Sequence, residues 1–515
     1  METNSTPRPR TAPPSPVRAV RWRWYLLGGA VGAYALLAVG TQARARVPGP
    51  IGPGTAVRAA LVPPTFFGGI QVNEPDHDRW VDAVAEAGLD SIEVTLYARQ
   101  QRWDEAELWY EREAPWVVSE IRAAKRAGLR VVLVMRVALE HGLSANRHLW
   151  HGMIWPRDDQ LELWMQRYRD FVLWGAGMAA REGVDLLAVG NELSSLASTL
   201  PVQQLPDLYA YWIDPERVAA VRSELVRCAA QVMEEGRGDD LVQLDGGRYR
   251  DLEAMLGAEE QVRRAWVHAI TGGNPRNLGH LNARRGRYER FWRRLISAVR
   301  DMYGGGLTYG ANFDQYDQVG FWDALEYVGV NAYFPLGLYG LESESRVPRM
   351  EQAWRRIGER LASVVPSRPT ILLELGWTRW LGSTVRPYSY SRVEVLETAA
   401  EAAPEPDSLT CVHWATQPTD ASERVAALQA LSNVVQAGAF DTLRGFILWK
   451  LTTQSEHRAI EPFAVLLQPG SGYTDLGWQS TPVTDEDALD NAYLALAARV
   501  GDTIRTRLGR VDRRR

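Results

Sequence analysis

Val184-Asp185-Leu186-Leu187-Ala188-Val189-Gly190-Asn191-Glu192-Leu193 (VDLLAVGNEL) is a short apolar run that ends abruptly in a polar pair. Such a run, bounded by Gly183 and too short for a buried helix, predicts a strand covered on both faces, as in a parallel sheet. Its last residue is the informative one. A carboxylate placed at the rim of a low-dielectric core costs free energy unless it is paired or used.

Outward from this stretch the same phrase recurs: apolar run, loop, amphipathic helix. The other runs are Phe66–Gln71, Ser91–Leu96, Arg130–Arg136, Leu307–Asn312, Tyr327–Asn331, Thr370–Glu374 and Gly445–Lys450, with the opening one taken as Asp185–Asn191. Helical patterns lie between them, among them Asp78–Ala87, Pro115–Ala127, Asp159–Arg181, Glu351–Val364 and Ser422–Gln436. Ala87-Gly88-Leu89 and Ala127-Gly128-Leu129 are helix stops, with Gly supplying the left-handed cap. Eight strands alternating with helices predict an α/β fold, a (β/α)₈ TIM barrel, over residues 64–506. An open doubly wound sheet is disfavoured, because no Gly-rich phosphate loop follows the first strand. About a hundred residues separate the fourth and fifth strands, far more than a barrel connection needs. Residues 196–287 are therefore a helical insertion (Pro215–Glu235, Gly257–Ile270, then a polar piece Thr271–Arg287) on the catalytic face.

The bulk composition narrows the function. A net charge of −5 excludes the global basic field of a nucleic-acid binder. Two distant cysteines and eight histidines without paired spacing call for neither a disulfide framework nor a metal, and no cofactor is expected. Twenty tryptophans suit sugar stacking, though most belong in the core. The N-terminal segment 1–23 has the composition of a disordered tail. Trp24–Gly40 is charge-free and follows Arg8, Arg10, Arg18, Arg21 and Arg23, so residues 24–42 are expected to form an uncleaved transmembrane anchor. A cleaved signal peptide ending at Ala43-Arg44-Ala45 stays open. Either way the domain beyond the 43–63 linker is exported. A basic tail closes the chain at 507–515.

In a barrel the carboxyl ends of the strands converge. Glu192 closes the fourth and Glu374 the seventh; two carboxylates so placed can flank a bond held over the mouth. This ordered pair, with Asn191 before the first, resembles the clan A glycoside hydrolases, and within them glycoside hydrolase family 113, known for β-mannanases. The matching segments are Leu149-Trp150-His151-Gly152, the helix Trp164–Trp174, Val184–Leu193, Leu307–Phe313, Phe321–Pro335 and Ile371–Trp377. They cover most of 66–450 apart from the insertion. The resemblance implies a retaining glycoside hydrolase acting on a β-linked carbohydrate substrate. Glu192 would be the acid/base and Glu374 the nucleophile, with Asn191 on the sugar 2-hydroxyl, Tyr333 orienting Glu374, and Trp449 as the floor of the −1 subsite. The acid should have a raised pKa and the nucleophile enough donors to stay charged.

Arg136, ending the third strand, donates either to Glu374 or to a sugar, or forms a structural rim pair. Trp150 and His151 match the family; Trp377, Trp380 and Trp414 are candidate platforms, and His141 is taken as a loop residue. Two other readings share the fold: a transglycosylase using the same residues, and a catalytically silent membrane-anchored polysaccharide-binding protein.

Overall fold

All eight anticipated strands form, almost every residue of them buried, as strands covered on both faces require. The computed structural model describes residues 64–74, 76–234, 251–337, 343–365, 368–388, 393–397, 409–413, 418–455, 457–467 and 485–512. The strands are β1 Phe66–Gln71, β2 Ser91–Gln100, β3 Arg130–Leu139, β4 Leu186–Asn191, β5 Gly306–Asn312, β6 Val328–Asn331, β7 Thr370–Leu375 and β8 Leu443–Thr452. Every neighbouring pair is parallel, and β1 pairs with both β2 and β8, so the ring closes. β2 and β3 run in register from Ser91↔Arg130 to Gln100↔Leu139, several residues beyond the predicted ends.

The longer described helices are α1 His77–Glu86, α2 Ala114–Arg126, α3 Leu161–Glu182, α4 Asp207–Ile213, α5 Pro215–Glu234, α6 Leu252–Ile270, α7 Leu278–Arg300, α8 Ser343–Val364, α9 Ser422–Gln436 and α10 Asp485–Asp512. β5 and β6 are joined by two 3₁₀ turns, Tyr316–Gln318 and Trp322–Ala324, with no α-helix between them. Inside the ring Phe66, Val132, Val134, Leu186, Ala188, Ile371, Leu373 and Ile447 pack as one apolar cluster. Such filling makes the barrel a packed core rather than a pore.

Two boundaries differ from the sequence reading. The insertion was placed at 196–287, but Arg287 lies in the middle of α7, the helix that returns the chain to β5. Asn277 caps α7 by accepting from Gly279 N–H at 3.1 Å. Leu281, Tyr288, Phe291, Trp292 and Leu295 form its buried face. The stretch looks polar because its arginines also turn inward: Arg284 donates to Pro156 O at 2.6 Å and Arg285 to Leu200 O at 2.7 Å. At the other end, residues 507–512 of the expected basic tail continue α10, where Arg507 pairs with Asp441 and donates to Val435 O at 2.9 Å.

Among the described residues no helix is long and apolar enough to cross a membrane. The expected segments 1–23, 24–42 and 43–63 lie outside the described residues, as do Trp414 and the last three residues of the tail.

Candidate active site

Glu192 follows directly on β4 and takes a left-handed backbone, φ 50°, while its N–H donates to Gly310 O at 2.8 Å. That conformation is uncommon for a residue with a Cβ and costs on the order of 1–3 kcal/mol, so the surrounding structure must hold it. Glu374 sits near the end of β7, with Asn331 of β6 as its cross-strand partner. Both side chains are almost wholly enclosed, at 5% and 3% exposure.

Arg136, from β3, comes between them. Its Nη2 donates to Glu374 Oε1 in a short contact and lies 3.5 Å from Glu192 Oε2. One nitrogen touching both carboxylates bounds those two oxygens to within about 6 Å of each other. Tyr333 donates its hydroxyl to Glu374 Oε2 at 2.6 Å, and Asn191 donates Nδ2 to Glu374 Oε1 at 3.1 Å. On the other side His151 Nε2 lies 2.9 Å from Glu192 Oε2. Trp449 packs with Tyr333, Ile70 and Phe463, and its ring centre is 5.4 Å from the Arg136 guanidinium.

The electrostatics follow from this crowding. Burial opposes the charge on Arg136, but the two carboxylates hold it protonated, above its ordinary range. Burial pushes both carboxyls up as well. The His151 hydrogen bond and Arg136 outweigh it at Glu192, which lies below its ordinary value. At Glu374 burial, with the neighbouring Glu192 charge, prevails over Arg136, Tyr333 and Asn191 and leaves it raised. This reverses the expected order, in which the acid was to be raised and the nucleophile kept charged. The reason is that His151, a donor of unassigned role in the sequence, faces Glu192. Burial lowers the His151 pKa, against the pull of the Glu192 carboxylate beside its Nε2.

The remaining anticipated residues divide. Arg136 and His151 belong to the site. Trp150 is half-buried; it packs edge-on to His151 at 5.0 Å and rests on Gly152, so it shapes the loop that carries His151. Trp377 is a correction. It is 1% exposed in the main core, edge-on to Trp354 at 6.5 Å, because its side chain leaves β7 towards α8 rather than the mouth. Trp380 is half-buried and bridges to Thr419. His141 lies in the exposed turn after β3, as expected of a loop residue.

Two residues of the site were missed. Asn331 is fully buried at the end of β6 and its amide helps lower Glu192. It closes a strand as Asn191 does, which was a usable signal. Glu93 of β2 is enclosed between Ile70 and Val132 in the ring, and burial, reinforced by Glu374 and Glu192, pushes its carboxyl well above the ordinary range. Within the alternating strand SIEVTLYARQ it looks like any outward polar residue, and no local pattern marks it.

Residues 281–403 match the family described as Glycoside Hydrolase Family 113. No curated protein matches the chain. Among solved structures, a family 113 β-mannanase from Alicyclobacillus acidocaldarius, in complex with ManMIm, is 16% identical with a TM-score of 0.47. That comparison covers 84% of this chain and 98% of the other. A complex of a family 113 β-1,4-mannanase gives the same identity and TM-score, over 84% and 99%. A fungal β-1,4-galactanase is 11% identical with a TM-score of 0.37, over 83% and 94%. Residues 281–403 are thus similar to Glycoside Hydrolase Family 113, within a chain whose eight parallel strands close in one ring as a (β/α)₈ barrel.

Proposed function

We propose that this protein is a retaining glycoside hydrolase of β-linked poly- or oligosaccharides, with Glu192 and Glu374 as its working pair. The observation that carries the reading is the single Arg136 nitrogen shared by both carboxylates. The bound of about 6 Å that it sets on the two nearest oxygens accords with a retaining pair, about 5–5.5 Å apart, and the family resemblance supports the same reading.

In the first step Glu192 gives its proton to the glycosidic oxygen while a Glu374 oxygen bonds to the anomeric carbon. The leaving sugar departs as an alcohol, and a glycosyl ester remains. In the second, Glu192 takes a proton from water, the water oxygen bonds to the anomeric carbon, and Glu374 leaves as carboxylate. Tyr333, Arg136 and Asn191 orient the nucleophile and stabilise its charge when it leaves. In this reading, which follows the family resemblance, Asn191 turns from Glu374 to the sugar 2-hydroxyl and Trp449 floors the −1 subsite. A transglycosylase differs only in a sugar hydroxyl replacing water. β-Mannan as substrate rests on the family resemblance alone. Residues 24–42 serve as a membrane anchor in this reading, which puts the barrel outside the cytoplasmic membrane.

A second reading exchanges the two roles. It is favoured by the pKa order, Glu374 raised and Glu192 lowered from the ordinary carboxylate value. A coupled pair titrates as a unit, and a sugar between the two carboxyls would change both surroundings. The donor set around Glu374 therefore weighs more. The full-length protein, Glu192→Gln and Glu374→Gln should be assayed on a panel of β-linked oligosaccharides and aryl glycosides. Wild-type turnover lost in both variants is expected; turnover that survives both would remove the assignment. Azide added to the acid/base variant restores turnover and gives a glycosyl azide of retained configuration. Obtaining that product from Glu374→Gln instead would establish the exchanged roles.

A further inference from the structure

β4 carries one residue more than its neighbours just before it delivers Asn191 and Glu192. Ala188 lies opposite Val134 of β3 and Thr308 of β5, and Asn191 opposite Arg136 and Gly310, so two residues on β4 face one on either side. Both intervening residues turn outward. Val189 packs in the cluster that holds Tyr168 of α3 and Trp292 of α7, and its carbonyl accepts from Tyr168 Oη at 2.9 Å. A Cβ on Gly190 would meet the same Tyr168 Oη at 2.6 Å and Trp292 at 2.9 Å. Plain alternation along the strand would turn Gly190 inward and Asn191 outward. The bulge reverses that phase and aims Asn191 at Glu374.

The receiving side is a single residue of β5. Gly310 is the cross-strand partner of Asn191, and its carbonyl accepts the Glu192 N–H at 2.8 Å, where Glu192 takes φ 50°. A Cβ on Gly310 would stand 1.9 Å from Asn191 Oδ1 and 2.9 Å from Asn191 Cγ; the next atom, Asn331 Oδ1, is at an ordinary 3.4 Å. Gly310 is not among the glycines of positive φ, so its backbone would accept a side chain. Glycine serves there for space, and the Asn191 amide fills the space. That amide has little freedom to retreat, because Asn191 is 1% exposed and Asn331 beside it 0%. Clearing a Cβ would move Asn191 Oδ1 by about 1 Å and draw Nδ2 off Glu374 Oε1, to which it donates at 3.1 Å.

We infer that Gly310 is a positioning residue of the site: its carbonyl anchors Glu192, and the room left by its missing side chain seats the Asn191 amide against Glu374. One residue of β5 thereby sets the acid/base of β4 and a donor of the nucleophile on β7 relative to each other. The catalytic consequence rests on the glycosidase reading above; the seating of the amide does not.

The test is a double-mutant cycle in the full-length protein, with Gly310→Ala, Asn191→Ala and the two combined, read by turnover and by urea denaturation. On a β-linked substrate that the wild type turns over, Gly310→Ala should lower kcat about 100-fold, the scale of a misplacement of about 1 Å. Asn191→Ala removes the atoms that the new methyl would strike, so adding Gly310→Ala to it should cost no further turnover. The urea midpoint should fall for Gly310→Ala alone and stay at the Asn191→Ala value in the double variant. Wild-type kcat in Gly310→Ala, or losses that multiply in the double variant, would overturn the inference, since a methyl that merely disturbs β5 acts whatever stands at position 191. A wild type that turns over no substrate removes the glycosidase reading, and the urea cycle still decides the seating. If Gly310→Ala alone does not fold, a folded double variant supports the seating and an unfolded one counts against it.

Discussion

The ends of β4 and β7 carry the same side chain in opposite company. Glu374 receives three donors, from Arg136, Tyr333 and Asn191, at a point where its strand shifts register against both neighbours. Glu192 has the His151 imidazole and the far reach of the same arginine, on a backbone in the left-handed region. Donors are where charge must be held for the length of a reaction, and Glu374 has them. Glu192 exchanges its proton beside an imidazole, with Arg136 reaching it only at 3.5 Å. Unequal surroundings of this kind are how two carboxyls of one site acquire two roles.

Removing either carboxylate is the largest way to break the comparison. Glu374→Gln and Glu192→Gln should each lower kcat by about 10³-fold or more on unactivated substrates, since residues acting as one unit fail together. With an aryl glycoside whose leaving group needs no proton, Glu192→Gln should keep its first step and accumulate glycosyl-enzyme, visible as a burst. Equal losses on both substrates would contradict the unequal roles.

Arg136→Met takes away the cation common to both sides. It leaves two buried carboxylates without a counter-charge, a change that costs about 3–5 kcal/mol of stability, measurable by urea denaturation. Because Arg136 lowers both carboxyls, its loss raises both, and the cost should shrink as pH falls and they protonate. Constant destabilisation between pH 4 and 8 would show that the pair is not charged in the native protein.

Tyr333→Phe and His151→Asn sharpen the contrast one donor at a time. A hydrogen bond to a charged group contributes about 1.5–3 kcal/mol, so Tyr333→Phe should slow turnover roughly 10- to 100-fold. His151→Asn should act mainly through pH: with a donor that lowers Glu192 weakened, the pKa of Glu192 moves up and the pH–rate profile shifts to higher pH. A profile that stays in place with only kcat reduced would assign His151 to the sugar.

Glu120 supplies a control, a carboxyl buried without a cation. It accepts from Gln71 Nε2 at 2.5 Å, and burial pushes it to about 8 from 4.5. Between those values the unfolded chain releases a proton that the native protein keeps. Stability therefore falls as pH rises, by at most about 1.4 kcal/mol per unit. Glu120→Gln should flatten that slope without changing activity; an unchanged slope would mean that Glu120 is ionised in the fold.

The strands were legible because a barrel buries both faces of each one, which leaves an apolar run that no helix period explains. Glu192 and Glu374 were legible because each interrupts such a run. What the sequence concealed depends on direction or distance. α7 hides its amphipathicity behind arginines that reach backbone carbonyls. Trp377 stands three residues from Glu374 yet faces the opposite way. Glu93 meets the pair only through closure of the ring, across 99 and 281 residues of chain. The reversal of the two pKa directions came from His151, whose loop is held by Trp266 of the insertion, far away in sequence, as well as by its neighbour Trp150.

The most direct measurement is to trap the covalent intermediate. The full-length protein is incubated with a 2-deoxy-2-fluoro-β-glycosyl fluoride of whichever sugar it turns over, then digested and mapped by mass spectrometry. The account predicts one glycosyl group, carried by the peptide that contains Glu374. A label on the Glu192 peptide would contradict the roles, and rapid turnover with inversion and no label would contradict the retaining mechanism itself.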